Sequence, residues 1–284
     1  MVIDGTAFAH IIKNDIREQL ARRSGTKITP GLGIVLVGSD DASVVYVGIK
    51  EKVAKSLGFH TQIQRLPATA KEIDIKKVIE EMNRDKKIHG ILVQIPLPKH
   101  IDYQEVLNTI AIEKDIDCLS HASLGALLKG ETFIAPPTAE AVLLLIEHAG
   151  MTVPCADIAV VGAGFFGRQI AFHLLNHGAS VSVVQDMTKD ISQYTKKADV
   201  VVSVVGKAGL ITGAIIKKDA VFIDVGVSVI DGKVVGDADE MSIAHKASAY
   251  TPVPGGVGPV TVACVMKNVM ERVWKIKKIA WCDL

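Results

Sequence analysis

A phenol, an amine and an amide stand in this sequence at positions from which they can meet. Tyr46 and Lys50, in the stretch ASVVYVGIK, are four residues apart, so on a helix both side chains leave the same face. Gln94 closes the apolar run of LVQIPLP. A lysine works as a general acid or base when desolvation lowers its pKa. Tyrosine adds an aromatic face and a hydroxyl, and glutamine can orient the amine. The plain alternative is a packed rim tyrosine beside a solvated charge, and an isolated pair on a helix favours that alternative. Asp115 and Asp117, in EKDIDCL, fall on a loop where alternate spacing turns one carboxylate inward. A solvated acidic turn fits the same pattern.

A second constellation is VVGAGFFG, which places Gly162, Gly164 and Gly167 in the G-x-G-x-x-G pattern, with Phe165 and Phe166 inside it. The pattern follows an apolar run and precedes a helix expected from Arg168 to Asn176. In that context the turn lets backbone approach a pyrophosphate, and the helix N-terminus supplies N–H groups and a positive dipole. Asp186 lies nineteen positions beyond Gly167, at the end of VSVVQD. A carboxylate there accepts both ribose hydroxyls of NAD and repels the 2′-phosphate of NADP. Its plain alternative is a turn aspartate. The cofactor expected is NAD rather than NADP.

A third stretch, TPVPGGVGP from Thr251 to Pro259, crowds three prolines and three glycines into nine positions, while Val253 and Val257 keep it apolar. Proline fixes φ and removes a donor, and glycine permits positive φ and close approach. The stretch reads as a rigid, donor-poor loop shaped to hold something. His173 and His177 have the i, i+4 spacing of some metal sites, but no carboxylate adjoins them in sequence, and an ordinary helix end is preferred. No metal site is expected. Cys118, Cys155, Cys264 and Cys282 show no CxxC spacing, so neither a disulfide framework nor a zinc site is indicated.

These groups need elements to position them. From Gly31 the chain alternates GLGIVLVG, FHTQIQRL and IHGILVQI with helices expected at Ala42 to Leu57, Ala70 to Asn83 and Ile101 to Ile110. A further helix, Thr138 to Ala149, opens a second series. Its strands are ADIAVVGAG, ASVSVVQD, ADVVVSVVG, DAVFIDVG and ASAY, with a last helix from near Pro259. The N-terminus reads as a short strand and a charged amphipathic helix. Strands separated by helices imply parallel sheets covered on both faces, here two α/β units meeting near residue 140. With 284 residues, 49% hydrophobic, 22% charged and a net charge of +1, the chain has globular values. That balance argues against nucleic-acid or anionic-membrane partners. No apolar run reaches the roughly 18–20 residues of a membrane span, and no signal peptide opens the chain, so a cytoplasmic enzyme is expected.

With VGSDDASVVYVGIK, GILVQIPLP, KDID and TPVPGGVGP in that order, the chain resembles the methylenetetrahydrofolate dehydrogenase/methenyltetrahydrofolate cyclohydrolase family. The resemblance implies two α/β domains flanking a cleft, the second a Rossmann-type dinucleotide-binding domain with a parallel sheet. The implied domains are 1–140 with a C-terminal helix at about 264–284, binding folate, and 141–263, binding NAD(P). It implies a homodimer associated through the nucleotide domain, and tetrahydrofolate as the carrier of the reacting carbon.

Residue by residue, the resemblance makes Lys50 the catalytic lysine, Tyr46 the group that stacks on or positions folate, and Gln94 the tuner of Lys50. Asp117 grips the pterin ring and Ser43 lies beside the site. Pro254, Gly255, Gly256, Val257 and Pro259 border the substrate, with Pro252 stiffening the wall. The implied chemistry is oxidation of 5,10-methylenetetrahydrofolate followed by hydrolysis of the methenyl product to 10-formyltetrahydrofolate. Alternatives are a dehydrogenase without the hydrolytic step and a binding homologue without turnover.

The chain also departs from the family. GAGFFG replaces a longer loop with Arg-Ser, and Gln185-Asp186 replaces a His-Ser pair. Both changes point to NAD. Cys118 follows Asp117, and PPTAEA, with Ala139 and Ala141, stands where the family has Pro-Cys-Thr-Pro-x-Gly, an expected change in the interdomain hinge.

Overall fold

The computed structural model describes residues 1–23, 25, 28–132 and 134–274. The chain divides into two compact units. One contains Ile12–Pro137 and the chain from Val262; the other contains Met1–Ile11 and Thr138–Thr261. They are called below the lysine unit and the fingerprint unit. The first eleven residues, which the sequence reading assigned with residues 12–140, group instead with the fingerprint unit. There Ile3 N–H donates to the Tyr250 carbonyl at 2.8 Å and Val2 bridges Tyr250. That single bridge is all that forms of the short strand expected at the N-terminus.

In the lysine unit, helix α1 (Gly5–Arg22), most of which belongs here, precedes strand β1 (Gly31–Val37). Helix α2 (Asp41–Ser56), strand β2 (His60–Leu66), helix α3 (Glu72–Arg84) and strand β3 (Gly90–Val93) follow. The three strands are parallel in the order β2-β1-β3, with Ile34 of β1 opposite Ile63 and Leu92. Central β1 is buried at every residue, which is why GLGIVLV is apolar on both faces. Edge strand β2, HTQIQRL, is mostly polar and stays partly exposed. On α3, Ile75, Ile79 and Met82 form one fully buried stripe, each side chain contributing roughly 1.5–3 kcal/mol of burial.

The helix expected at Ile101 to Ile110 is only α4 (Tyr103–Leu107), started by Asp102, whose side chain accepts from Gln104 and Glu105 N–H. Helix α5 (His121–Lys129) was not anticipated. Its signals were present: Ser120 caps it by accepting from Ser123 N–H, and Gly130 ends it at φ 71°. Helix α6 (Pro137–His148) follows, with Ala139 and Ala141 fully buried.

The fingerprint unit contains β4 (Asp157–Val161), α7 (Phe165–Asn176), β5 (Ser180–Val184), α8 (Ser192–Thr195), β6 (Val200–Ser203) and β7 (Val221–Asp224). After these come β8 (Ser228–Ile230), β9 (Lys233–Val235), α9 (Glu240–Ala244), β10 (Ala249–Tyr250) and α10 (Val257–Trp274). Five parallel strands run in the order β10-β7-β6-β4-β5. The chain passes from β4 to β5 on one side and to β6 on the other, so the strand order reverses at β4. Phe222, Val161, Val201, Ile211 and Ile243 lie in its buried core.

Helix α7 starts at Phe165 rather than Arg168, and α10 at Val257, which leaves Pro259 in its first turn. The antiparallel β8-β9 hairpin was missed. Its two-residue turn, Asp231-Gly232, has φ of 51° and 74°, the Asp-Gly geometry that closes such hairpins. From Val262, α10 contributes to the lysine unit. Cys282 and the end of the helix expected to 284 lie outside the described residues. No helix among the described residues is long and apolar enough to cross a membrane.

Candidate active site and nucleotide-binding loop

Asp40 sets the start of α2, accepting from Ser43 N–H at 2.9 Å. From that start Ser43, Val47, Lys50 and Ala54 follow at i, i+4, i+7 and i+11. Ser43, Val47 and Ala54 are buried, so Lys50 sits on the inward stripe while Tyr46, on the flank, keeps 46% of its surface exposed. Gln94 directly follows β3, and its N–H donates to the Val35 carbonyl at 2.9 Å. Parallel β1 and β3 bring Gln94 to the same carboxyl edge as the start of α2. There Lys50 Nζ donates to Gln94 Oε1 at 3.0 Å, and Gln94 Nε2 donates to the Ile95 carbonyl at 2.7 Å. The amide is thereby held with its oxygen toward the amine.

Burial lowers the Lys50 pKa below the ordinary lysine range, opposed by the carboxylate of Asp117. Burial pushes Asp117 up, opposed by the Lys50 charge and reinforced by Asp115. Asp115 bridges Ile91 of β3 in parallel, and Asp117 follows in the turn beyond it. Of the two acidic residues, Asp115 is the one turned fully inward. It accepts from Leu119 N–H, Ser120 N–H and Ser123 Oγ at 3.2, 2.9 and 2.7 Å. It therefore fixes the loop, and Asp117 faces Lys50. Cys118, next in line, is buried and holds φ at 56°, a left-handed conformation unusual for a side chain of its type.

Asn268 of α10 was not singled out from the sequence. Its buried Nδ2 donates to the carbonyls of Ile116 and Ala135 at 2.9 and 2.8 Å. These partners are 152 and 133 residues away, and no local pattern announces them.

In the fingerprint unit, the glycine loop connects β4 to α7. A side chain on Gly167 would stand 1.8 Å from the Gly162 carbonyl oxygen, and one on Gly162, at φ 113°, would stand 2.6 Å from the Val204 oxygen. Both positions exclude any other residue. Gly164 caps α7, and a Cβ there would meet nothing within 4 Å. The loop is thus closed underneath and open above, where a pyrophosphate would lie against the first N–H groups of α7. Phe165 and Phe166 occupy that first turn, their rings edge to face at 5.6 Å, with Phe166 exposed. Asp186 is exposed just beyond β5, and its Oδ1 accepts from Met187 N–H at 3.0 Å. It stands beside the carboxyl end of β4, where Val161 pairs with Val184.

The proline-glycine loop belongs to this unit as far as Thr261. Gly255 has φ 103°, its carbonyl accepts from Thr6 N–H at 3.1 Å, and a Cβ on Gly5 would lie 1.8 Å from the Gly256 oxygen. These two carbonyls are therefore turned to the N-terminal segment. Pro252 and Val253 are half-buried and Pro254 is exposed just before them, with the Val253–Pro254 peptide cis.

His173 is buried, with Nε2 3.1 Å from Glu140 Oε2 of α6. The carboxylate lacking in the local sequence arrives from another helix. His177 Nδ1 lies 2.7 Å from the His173 carbonyl. Among the described residues no group of three or more His, Cys, Asp or Glu is placed to hold a metal ion.

A parallel unit carrying a desolvated lysine, joined in one chain to a dinucleotide fold whose glycine loop meets the steric requirements, defines a two-unit α/β enzyme of the nucleotide-dependent class. The chain belongs to the tetrahydrofolate dehydrogenase/cyclohydrolase family. Residues 3–117 match the model of its catalytic domain and residues 136–277 that of its NAD(P)-binding domain. The chain is 44% identical over 272 residues to the bifunctional protein FolD of Cupriavidus taiwanensis, covering 95% of this chain and 96% of that protein.

Among solved structures it resembles the bifunctional FolD enzyme of Campylobacter jejuni, with a TM-score of 0.93 and 34% identity over 96% of this chain and 98% of that one. It also resembles the Trypanosoma brucei enzyme complexed with NADP and an inhibitor, with a TM-score of 0.90 and 36% identity over 96% of each chain.

Proposed function

We propose that this chain oxidises 5,10-methylenetetrahydrofolate to the methenyl cation with NAD(P), preferring NAD, and hydrolyses that cation to 10-formyltetrahydrofolate. The observation that carries the reading is Lys50, desolvated, hydrogen-bonded to Gln94 and opposed by Asp117. An ordinary surface lysine keeps a high pKa and moves protons poorly at neutral pH; burial lowers it toward the working range.

The fingerprint unit takes the dinucleotide, which supplies a hydride acceptor for the methylene carbon. Gly162, Gly164 and Gly167 admit its pyrophosphate, Phe165 and Phe166 flank it, and Asp186 receives the ribose hydroxyls. The lysine unit takes the folate. Asp117 holds the pterin, Tyr46 lies along its plane, and Ser43 sits one turn before Tyr46 on α2. Pro254, Gly255, Gly256, Val257 and Pro259 contribute a pre-ordered wall, which reduces the entropy lost on binding. In the hydrolytic step Lys50 takes a proton from the water that adds to the methenyl carbon and returns one to the departing ring nitrogen. Gln94 Oε1 keeps its amine directed.

The preference for NAD rests on Asp186, exposed at the end of the second strand of the fold, where a carboxylate and a 2′-phosphate repel. The same reading includes two domains, one binding folate and including the C-terminal helix, the other binding NAD(P), with the boundary in the chain near residue 140. It also includes a cytoplasmic homodimer associated through the nucleotide domain, with edge strand β5, whose Val183 is exposed, available for association. The near-neutral charge of the chain supports small-molecule rather than nucleic-acid or membrane partners.

Initial rates of 5,10-methylenetetrahydrofolate oxidation with NAD and with NADP test the reading. It expects faster NADH formation, then decay of the methenyl absorbance. Absence of oxidation with either nucleotide would remove it.

A further inference from the structure

The carboxyl edge of the fingerprint sheet carries two buried carboxylates outside the glycine loop. Asp224 ends β7, and Asp237 follows the β8-β9 hairpin; both are buried. Asp224 closes the base of the hairpin. Its Oδ1 accepts from Gly226 and Asp237 N–H, each at 3.1 Å, and its Oδ2 accepts from Ala238 N–H at 2.9 Å. Its own N–H donates to Thr251 Oγ1 at 2.8 Å, at the start of the proline-glycine loop.

Asp237 reaches the other way, to the end of β6. It accepts from Ser203 Oγ at 2.7 Å, Val205 N–H at 2.8 Å and Lys207 N–H at 2.7 Å. A carboxylate that receives three such bonds fixes backbone more firmly than a neutral acceptor does. The segment it fixes includes Val204, whose carbonyl and side chain close the underside of Gly162 and Gly167. Strand order reverses at β4, between β5 and β6, and dinucleotides bind outside the carboxyl ends of the strands at such a reversal. The loop after β4 is one wall of that crevice, and the loop after β6, Val204 to Lys207, is the other.

We infer that Asp237 is a positioning residue for the dinucleotide: by holding Val205 and Lys207 it sets the wall of the crevice opposite the glycine loop. The inference rests on the proposed function only in taking NAD(H) as the ligand. Asp224 acts one step behind, seating Asp237 through its main-chain N–H. Burial pushes the Asp224 carboxyl up to about 6, opposed by its backbone donors and reinforced by the neighbouring Asp237 carboxylate.

The test is fluorescence titration of NADH into the full chain, wild type and Asp237→Asn. Asparagine keeps the shape but turns one acceptor oxygen into a donor facing a donor. Hydrolysis of the methenyl compound, which consumes no nucleotide, is measured on the same samples. The dissociation constant for NADH should rise about tenfold or more, well beyond any change in hydrolysis. Ser203→Ala, which removes a single side-chain donor to Asp237, should give a rise of roughly two- to fivefold and serves if Asp237→Asn does not fold. Unchanged NADH affinity in either folded variant would overturn the inference, as would a proportional fall in binding and hydrolysis together. Should the wild type bind NADH but turn over no folate, the proposed function fails. The comparison of affinities, with thermal melting in place of hydrolysis, still decides the role of Asp237.

Discussion

Lys50 Nζ lies 3.0 Å from Gln94 Oε1, joining the inward stripe of one helix to the end of a strand 44 residues later. The glutamine is itself held by the Ile95 carbonyl, so its oxygen cannot turn away without losing that bond. Replacing it with leucine leaves the buried amine without its acceptor. Gln94→Leu should lower kcat for methenyl hydrolysis by about 10²-fold, the lower range for a misdirected acid-base group, with folate affinity changed much less. Steady-state kinetics beside a folate-binding titration check this.

The charge relation between Lys50 and Asp117 makes a pH prediction of definite sign. Asp117 raises the Lys50 pKa against the larger lowering by burial. Removing the carboxylate removes the raising contribution, so the lysine pKa falls further. In Asp117→Asn the limb of the kcat/KM profile for hydrolysis that reports Lys50 should move to lower pH. An upward move, or none, would detach Asp117 from Lys50. KM for folate should rise as well, since the same residue is assigned to the pterin.

Asp186 is exposed, and among the described residues it is bonded through one oxygen to its own turn, so exchanging it costs the fold little. Asp186→Ser should reduce the NAD/NADP ratio of kcat/KM by about tenfold or more, a change of roughly 1.4 kcal/mol. An unchanged ratio would take Asp186 out of the specificity account.

Two glycines of one loop should respond oppositely. Alanine at Gly167 would place its Cβ 1.8 Å from backbone, whereas at Gly164 nothing lies within 4 Å. Gly167→Ala should lower stability by roughly 1–3 kcal/mol, as overpacking does. Gly164→Ala should melt with the wild type yet bind NADH more weakly, because its methyl stands where the phosphates approach. Thermal melts with and without NADH distinguish the two.

These relations also show which parts were legible in the sequence. Apolar runs separated by helix-period segments revealed both parallel sheets, because a strand covered on two faces has no polar positions to break its pattern. The glycine fingerprint was legible because its steric demands are local. The role of Asp115 was not, since an i, i+2 pair on a loop does not say which carboxylate meets the amides of Leu119 and Ser120. Asn268 and the Asp224–Asp237 pair were invisible for a related reason. Their partners come from distant segments, and a side chain that bonds main chain leaves no residue-type signature in its partner. The grouping of residues 1–11 with the fingerprint unit rests on backbone pairing of Ile3 with Tyr250, again without a side-chain signal. The α5 cap and the Asp231-Gly232 turn carried usable local signals.

The most direct test of the central claim is the decay of methenyltetrahydrofolate absorbance in Lys50→Met beside the wild type, with folate binding measured on the same preparations. Methionine keeps the length and apolar stem of the lysine while removing its proton-carrying group. Enzyme-catalysed hydrolysis should fall to the uncatalysed background with folate still bound. Hydrolysis retained near the wild-type rate would contradict the assignment of Lys50.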